Sequence, residues 1–238
     1  MLNTVNPERI TDLVDANHIL DAQGVLDGFG HVSVRHDCDP GLFVIARSMA
    51  PALVTEADLL LCDLDGRVHD PQGRRSYVER FIHSEIYRAR PDVQAIVHSH
   101  SPALIPFGVT GARLRPVCHM SGFLGSRTPV FEIRHSVGES SDLLVRNQAL
   151  GRTLAQTLGD AAVALMRGHG SVTVGVSLRQ VVFRAIQAES NARLQAQAMQ
   201  FGEILYLSED EARLAAEAND QHLDRPWALW LRSLRGER

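Results

Sequence analysis

The chain has 238 residues, 45% of them apolar and 22% charged, with a net charge of −4. This is the profile of a folded domain with a sizeable core and no general affinity for nucleic acid or acidic membranes. All 24 basic residues are arginine, so Schiff-base chemistry on a side-chain amine and a Walker-type phosphate loop are both excluded.

Pro7 predicts the start of a helix carrying Ile10, Leu13, Val14 and Leu20 on one face, with Gly24 just past its end. Gly28-Phe-Gly-His-Val-Ser-Val-Arg reads as a glycine turn entering a strand through Val32 and Val34. The Asp39-Pro40-Gly41 turn joins it to a strand over residues 42–46, and a further strand spans 59–64. Val78, Phe81, Ile82, Ile86 and Ala89 give a helix stopped by Pro91, followed by a short apolar strand over 95–100. Strands are expected at 116–119 and 130–133, then a helix carrying Leu143, Leu144, Leu150, Leu154 and Leu158. Residues 163–166 and 172–174 read as strands flanking Arg167-Gly-His-Gly, and Ser177 caps a long helix running to Gly202. Ser208-x-x-Glu211 is a capping box that opens one more helix. No repeat, low-complexity tract or linker interrupts this alternation, so residues 1–238 are expected to form one α/β domain.

Cys38, Cys62 and Cys118 are too widely spaced for a disulfide framework or a thiolate zinc site and read as buried structural thiols. The N-terminal segment lacks a basic region followed by an apolar one, and no apolar run approaches the length of a membrane span. A cytoplasmic protein without membrane or nucleic-acid partners is expected.

Eleven histidines are present, and their placement matters more than their number. His98 and His100 stand two apart at the end of a strand, where alternation puts both imidazoles on one face. Neutral imidazole is a common ligand for divalent transition metals, although two unrelated histidines would show the same spacing. His169, between Gly168 and Gly170, is a third candidate on backbone free to bend closely. Three histidines leave coordination positions open, as catalytic sites do. Glu79, at the start of the preceding helix, is either an acid/base beside that metal or a solvated first-turn glutamate favoured by the helix dipole.

Glu79, His98-Ser-His100 and the later Gly-His169-Gly together resemble the class II aldolase/adducin family. The Ala89-Arg-Pro-Asp-Val, Asp63-Leu-Asp-Gly and Gly28-Phe-Gly-His-Val-Ser segments add to the likeness, which covers roughly residues 10–205. The resemblance implies a three-layer α/β/α domain around a mixed, mostly antiparallel sheet, assembled as a homo-oligomer, commonly a tetramer. It further implies one divalent ion per subunit (Zn, Mn, Fe or Co) on His98, His100 and His169, with Glu79 as acid/base.

The departures from the sugar-phosphate members are informative. His31 stands in the glycine turn, the following loop reads Ala46-Arg-Ser-Met-Ala-Pro, and Tyr77-Val78 precede Glu79. Met49 and Val78 have no side-chain donor for phosphate oxygens, whereas Arg47 offers a planar fork suited to a carboxylate. This pattern resembles the branch of non-oxidative decarboxylases acting on hydroxylated aromatic or heteroaromatic dicarboxylates, of the 3,4-dihydroxyphthalate or 3-hydroxypyridine-dicarboxylate type. Loss of CO₂ leaves an electron pair that needs a sink, and a divalent cation supplies one. In this reading Glu79, with His31 second, protonates the ring carbon, while Arg47 and Ser48 hold a substrate carboxylate. Arg47 as a surface partner of Asp58 or Glu56 is the other reading. His119 is either an additional site residue or a core or interface histidine. His18, His36, His69, His83, His135 and His222 read as structural or solvated. The alternatives to a decarboxylase are an aldolase on an unphosphorylated hydroxy-keto substrate and a non-catalytic, adducin-like binding module.

Overall fold

Eight strands form one sheet in the computed structural model, which describes residues 4–69 and 71–236. They are β1 (His31–Arg35), β2 (Leu42–Ala46), β3 (Leu59–Asp63), β4 (Val68–His69), β5 (Ala95–Ser99), β6 (Val130–Phe131), β7 (Val163–Met166) and β8 (Gly170–Gly175), in the spatial order β4-β3-β2-β1-β5-β8-β7-β6. All neighbours run antiparallel except β6 and β7. The helices are α1 (Pro7–Ala22), α2 (Arg80–Ala89), α3 (Ile105–Val109), α4 (Arg134–Val137), α5 (Gln148–Leu158), α6 (Leu178–Ala198), α7 (Glu209–Asp220) and α8 (Asp224–Leu234). Helices α1, α6 and α8 pack together on one face of the sheet, and α2 packs with α5 on the other. The expected three-layer architecture with a mixed, mostly antiparallel sheet is what forms. Because both faces are covered, β1, β5, β7 and β8 are buried along their whole length, and the polar residues they carry, such as Ser33, His98 and Thr173, are buried with them.

Local signals set most boundaries. Asn6 accepts the Glu8 N–H at the start of α1, Pro7 occupies its first turn, and Gly24 takes φ +69° just past its end. Ser177 caps α6, and Ser208 and Glu211 form the capping box of α7. Three expectations are corrected. Residues 116–119 form no strand, because the backbone there is held by side chains of α6 and not by a ladder. Asn191 accepts from Val117 N and donates to Arg115 O, while Gln195 accepts from Arg115 N and donates to Arg113 O. The helix expected from Leu143 begins only at Gln148, capped by Asn147, because Leu143 adopts φ +66°. The strand expected over 130–133 ends at Phe131 and leads into α4. Of the three free cysteines only Cys62 is buried, and burial pushes its thiol up to about 12; Cys38 is exposed. Among the described residues no helix is long and apolar enough to cross a membrane.

Candidate metal centre

The site forms where the ends of β5 and β8 meet the start of α2. His98 lies opposite His31 on β1 and opposite Val172 on β8. His100 follows on the same face, and the turn between β7 and β8 brings in His169. Gly168 sits at φ +67° in that turn, and a Cβ at Gly170 would collide with the Ser99 carbonyl oxygen. Only glycine there lets the His169 turn close down on β5.

The three imidazole rings converge with centroids 4.9–5.0 Å apart, and the His100 and His169 Nε2 atoms are 3.1 Å apart. Each opposite nitrogen is engaged by an acceptor. His98 Nδ1 donates to Ser171 O at 3.1 Å, His100 Nδ1 to Asp27 Oδ2 at 3.0 Å, and His169 Nδ1 to Leu143 O at 2.9 Å. A proton on Nδ1 leaves Nε2 as a bare lone pair when the ring is neutral. His98 Nε2 is buried and has no hydrogen-bond partner among the described residues. Buried polar atoms are normally satisfied, so an orphan lone pair at the meeting point of three imidazoles fits a cation. The donor atoms of Glu79, His98, His100 and His169 all lie within 4.8 Å of one another.

Glu79 stands at the N-cap of α2 but makes no capping bond. It is 7% exposed, so the solvated first-turn reading does not hold. Its Oε1 accepts Val145 N–H at 2.9 Å, and Oε2 lies 3.4 Å from His169 Nε2 and 3.6 Å from His98 Nε2. Burial by itself would raise its pKa, but the neighbouring His169 and His98 and the Val145 N–H outweigh that and hold it at about 2. Burial and the adjacent imidazoles push His98 down to about 3, whereas the Glu79 carboxylate raises His169 despite its burial. The left-handed Leu143, costing roughly 1–2 kcal/mol, turns the chain so that residues 143 and 145 hold His169 and Glu79 respectively.

His31 is 2% exposed, with its ring 4.9 Å from His98 and 4.4 Å from Tyr77. Burial and four nearby histidines push its pKa well below the ordinary value, so the ring is neutral. A neutral imidazole is a poor proton donor, which weakens the expected role of His31 in protonating the ring carbon. Beneath it His83, read from sequence as structural or solvated, is fully buried and bonded to His31. Glu79, His83 and Tyr87 recur every four residues, and that stripe on α2 was the available signal for them. Asp27 was missed as well. Its Oδ1 accepts Phe29 N–H and Gly30 N–H, both at 2.9 Å, so one carboxylate ties the glycine turn and holds His100.

Arg47 and Ser48 lie at the end of β2. Arg47 pairs with Asp58, Nε to Oδ1 at 2.7 Å, as one of its two readings anticipated. It also forms an isolated bridge with Ser76, next to the Tyr77 that contacts His31. Ser48 is exposed, and its N–H donates to Arg75 O at 2.7 Å. His119 is not brought to the cluster. The segment leading to it is carried by α6 toward α7, and it lines an exposed groove with Leu207, Glu211, Leu214 and Ala215.

The family described as Class II Aldolase and Adducin N-terminal domain matches residues 11–196. A protein named decarboxylase tropJ from Talaromyces stipitatus is 36% identical, across 94% of this chain and 93% of its own. A 3,4-dihydroxyphthalate decarboxylase from Terrabacter sp. is 32% identical, across 78% of this chain and 79% of its own. The fold is similar to that of an aldolase II superfamily protein from Pseudomonas syringae, with a TM-score of 0.79 at 23% identity, covering 98% of this chain and 95% of that one. Sheet order, the converging histidines and these matches agree, and the chain belongs to the class II aldolase and adducin family.

Proposed function

We propose that the chain is a divalent-metal-dependent, non-oxidative decarboxylase of a hydroxylated aromatic or heteroaromatic dicarboxylate, of the 3,4-dihydroxyphthalate or 3-hydroxypyridine-dicarboxylate type. The observation that carries the metal dependence is the buried, unpartnered His98 Nε2 among three imidazoles whose other nitrogens are engaged. Carboxy-lyase chemistry is supported by the likeness to two proteins named decarboxylases. It is also supported by Met49, packed against the core, and by Val78, neither of which offers a side-chain donor to a phosphate.

A divalent cation held by His98, His100 and His169 supplies Lewis-acid stabilisation of the negative charge that develops as CO₂ departs. Glu79 is held ionised, so it acts first as a base. Its Oε2 takes the proton of the substrate's ring hydroxyl while Oε1 stays on Val145 N–H. As the ring–carboxylate bond breaks, its electron pair passes to the ring carbon, and Glu79 returns the proton there. One C–C bond is broken, one C–H bond is formed, CO₂ leaves, and solvent restores the hydroxyl proton. Arg47, its Nε on Asp58, takes the remaining carboxylate through its Nη groups, with the Ser48 hydroxyl beside it.

The test incubates zinc- or manganese-loaded protein with a panel of ortho-hydroxy aromatic and pyridine dicarboxylates, following CO₂ and ring absorbance. Stoichiometric CO₂ with a retained ring is expected. Cleavage of an unphosphorylated hydroxy-keto compound into two carbonyl fragments would replace this reading with the aldolase. A protein that binds no metal would replace it with the binding module. Cytoplasmic location and assembly as a tetramer, or a multiple of one, belong to the same proposal. Phe201 and Leu205, 90% and 92% exposed, support an interface between copies, which light scattering tests.

A further inference from the structure

A fully buried chain of hydrogen bonds runs from Tyr87 on α2 to His31 on β1. Tyr87 OH lies 2.8 Å from Ser33 Oγ, Ser33 Oγ lies 2.7 Å from His83 Nδ1, and His83 Nε2 lies 2.7 Å from His31 Nδ1. Tyr87 is 1% exposed, and His83 and Ser33 are 0% exposed, so no water competes at these links. The direction of such a chain is set at its closed end. Among the described residues Tyr87 OH touches no partner except Ser33. The charged groups beside it are Arg35, whose guanidinium lies 4.6 Å over the ring, and Arg9, and neither side chain has an acceptor atom. The Tyr87 proton therefore goes to Ser33, since the reverse order would bury an unmade O–H donor. Ser33 then donates to His83 Nδ1, which leaves the His83 proton on Nε2, donated to His31 Nδ1. His31 accepts on Nδ1 and carries its own proton on Nε2.

We infer that His31 is a fixed N–H donor to the substrate and not a fourth metal ligand, and that Tyr87, Ser33 and His83 are the positioning residues that set its tautomer. When neutral, the three histidines of the metal cluster hold the opposite form, with the proton on Nδ1 and Nε2 bare. One site thus contains both tautomers, with His31 only 4.9 Å from His98. The His31 Nε2–H has no partner among the described residues and lies on the ring edge turned away from His83. It suits an anionic oxygen, a ring carboxylate or phenolate, where it can stabilise charge without giving up its proton. The tautomer follows from the hydrogen-bond chain alone; the choice of substrate oxygen rests on the proposed decarboxylase.

Histidine-selective ¹⁵N labelling of the zinc-loaded protein, read by long-range ¹H–¹⁵N correlation, reports each tautomer directly, and a His31→Ala spectrum assigns the resonance. His31 is expected as the Nε2–H form. In Tyr87→Phe the closing donor is gone, so His31 should shift to a mixture of forms while bound zinc is unchanged. Ser33→Ala cuts the same chain one link closer, should Tyr87→Phe fail to fold. His31→Ala should keep its metal and lose roughly 10²-fold in kcat, and His31→Gln, which restores an N–H, should recover part of it. A wild-type His31 protonated on Nδ1, or metal lost in His31→Ala, would overturn the inference. The expected tautomer together with no CO₂ from any dicarboxylate would leave the inference standing and remove the decarboxylase.

Discussion

Replacing Asp27 by asparagine separates two roles that one carboxylate plays. Oδ1 accepts the Phe29 and Gly30 N–H groups at 2.9 Å and ties the glycine turn, while His100 Nδ1–H is nearer Oδ2, at 3.0 Å, than Oδ1, at 3.2 Å. Asparagine keeps an acceptor for the turn but presents an amide N–H where Oδ2 stood. The shorter contact then sets two donors face to face, which favours moving the imidazole proton to Nε2, the atom the metal needs, and only the longer contact to Oδ1 opposes this. Magnitude distinguishes this from an ordinary ion pair. The Asp27 side chain is 48% exposed, so solvent screening limits the pair to about 0–1 kcal/mol, at most roughly fivefold in affinity. Loss of the group that orients a ligand and sets its tautomer weakens binding by about 10- to 100-fold, or about 1.4–2.7 kcal/mol. Zinc titration against a chelating competitor at neutral pH measures the difference. Asp27→Asn should weaken Kd by at least about tenfold and leave the unfolding temperature of the metal-free protein nearly unchanged. A Kd within about twofold of wild type would show that Asp27 serves only the turn.

His98→Ala, His100→Ala and His169→Ala should each lose metal and activity together, by elemental analysis and CO₂ release, while circular dichroism shows the fold intact. Glu79→Gln should keep its metal and lose about 10²- to 10⁴-fold in kcat; loss of the metal would instead make Glu79 a fourth ligand. Arg47→Ala should raise KM with metal content unchanged, whereas a lower Tm with unaltered kinetics would confine Arg47 to its pair with Asp58. Metal occupancy should fall with acidification. The proton on His169 is held more tightly than on a free imidazole, so uptake must displace it at pH values below its raised pKa. Competition titrations at several pH values should therefore show proton release on binding, and a pH-independent Kd would contradict it. The metal-free protein has an acid dependence of its own. Glu79, depressed from 4.5 to about 2, stabilises the fold above its unfolded pKa and loses that contribution as pH falls through this window.

Period and punctuation alone carried much of this molecule. Residues 42–46 and 163–166 are strands over the predicted span, because short apolar runs between turn signals have one way to be buried on both faces. Pro7, Ser177 and the Ser208 capping box mark helix starts whose chemistry is local. The spacing of His98 and His100 placed two imidazoles on one face, and the glycines around His169 marked backbone able to approach them. What decides the site chemistry is not local. Asp27, Leu143 and Ser171 lie 73, 26 and 73 residues from the histidines they orient, and two of these three contacts use a backbone carbonyl that every residue type possesses. Such partners leave no trace in residue identity, and neither does the left-handed turn at Leu143, which appears in sequence as one more apolar residue of a helix. The pairing of Arg47 with Asp58 and the relay from Tyr87 to His31 depend on how β2 meets β3 and how α2 lies across β1. Residue types determined which imidazoles and carboxylates this protein possesses. Only tertiary packing decided which nitrogen of each neutral histidine carries the proton, and the hydrogen-bond partners separate His98, His100 and His169, each with Nδ1 on an acceptor, from His31, whose Nδ1 faces His83.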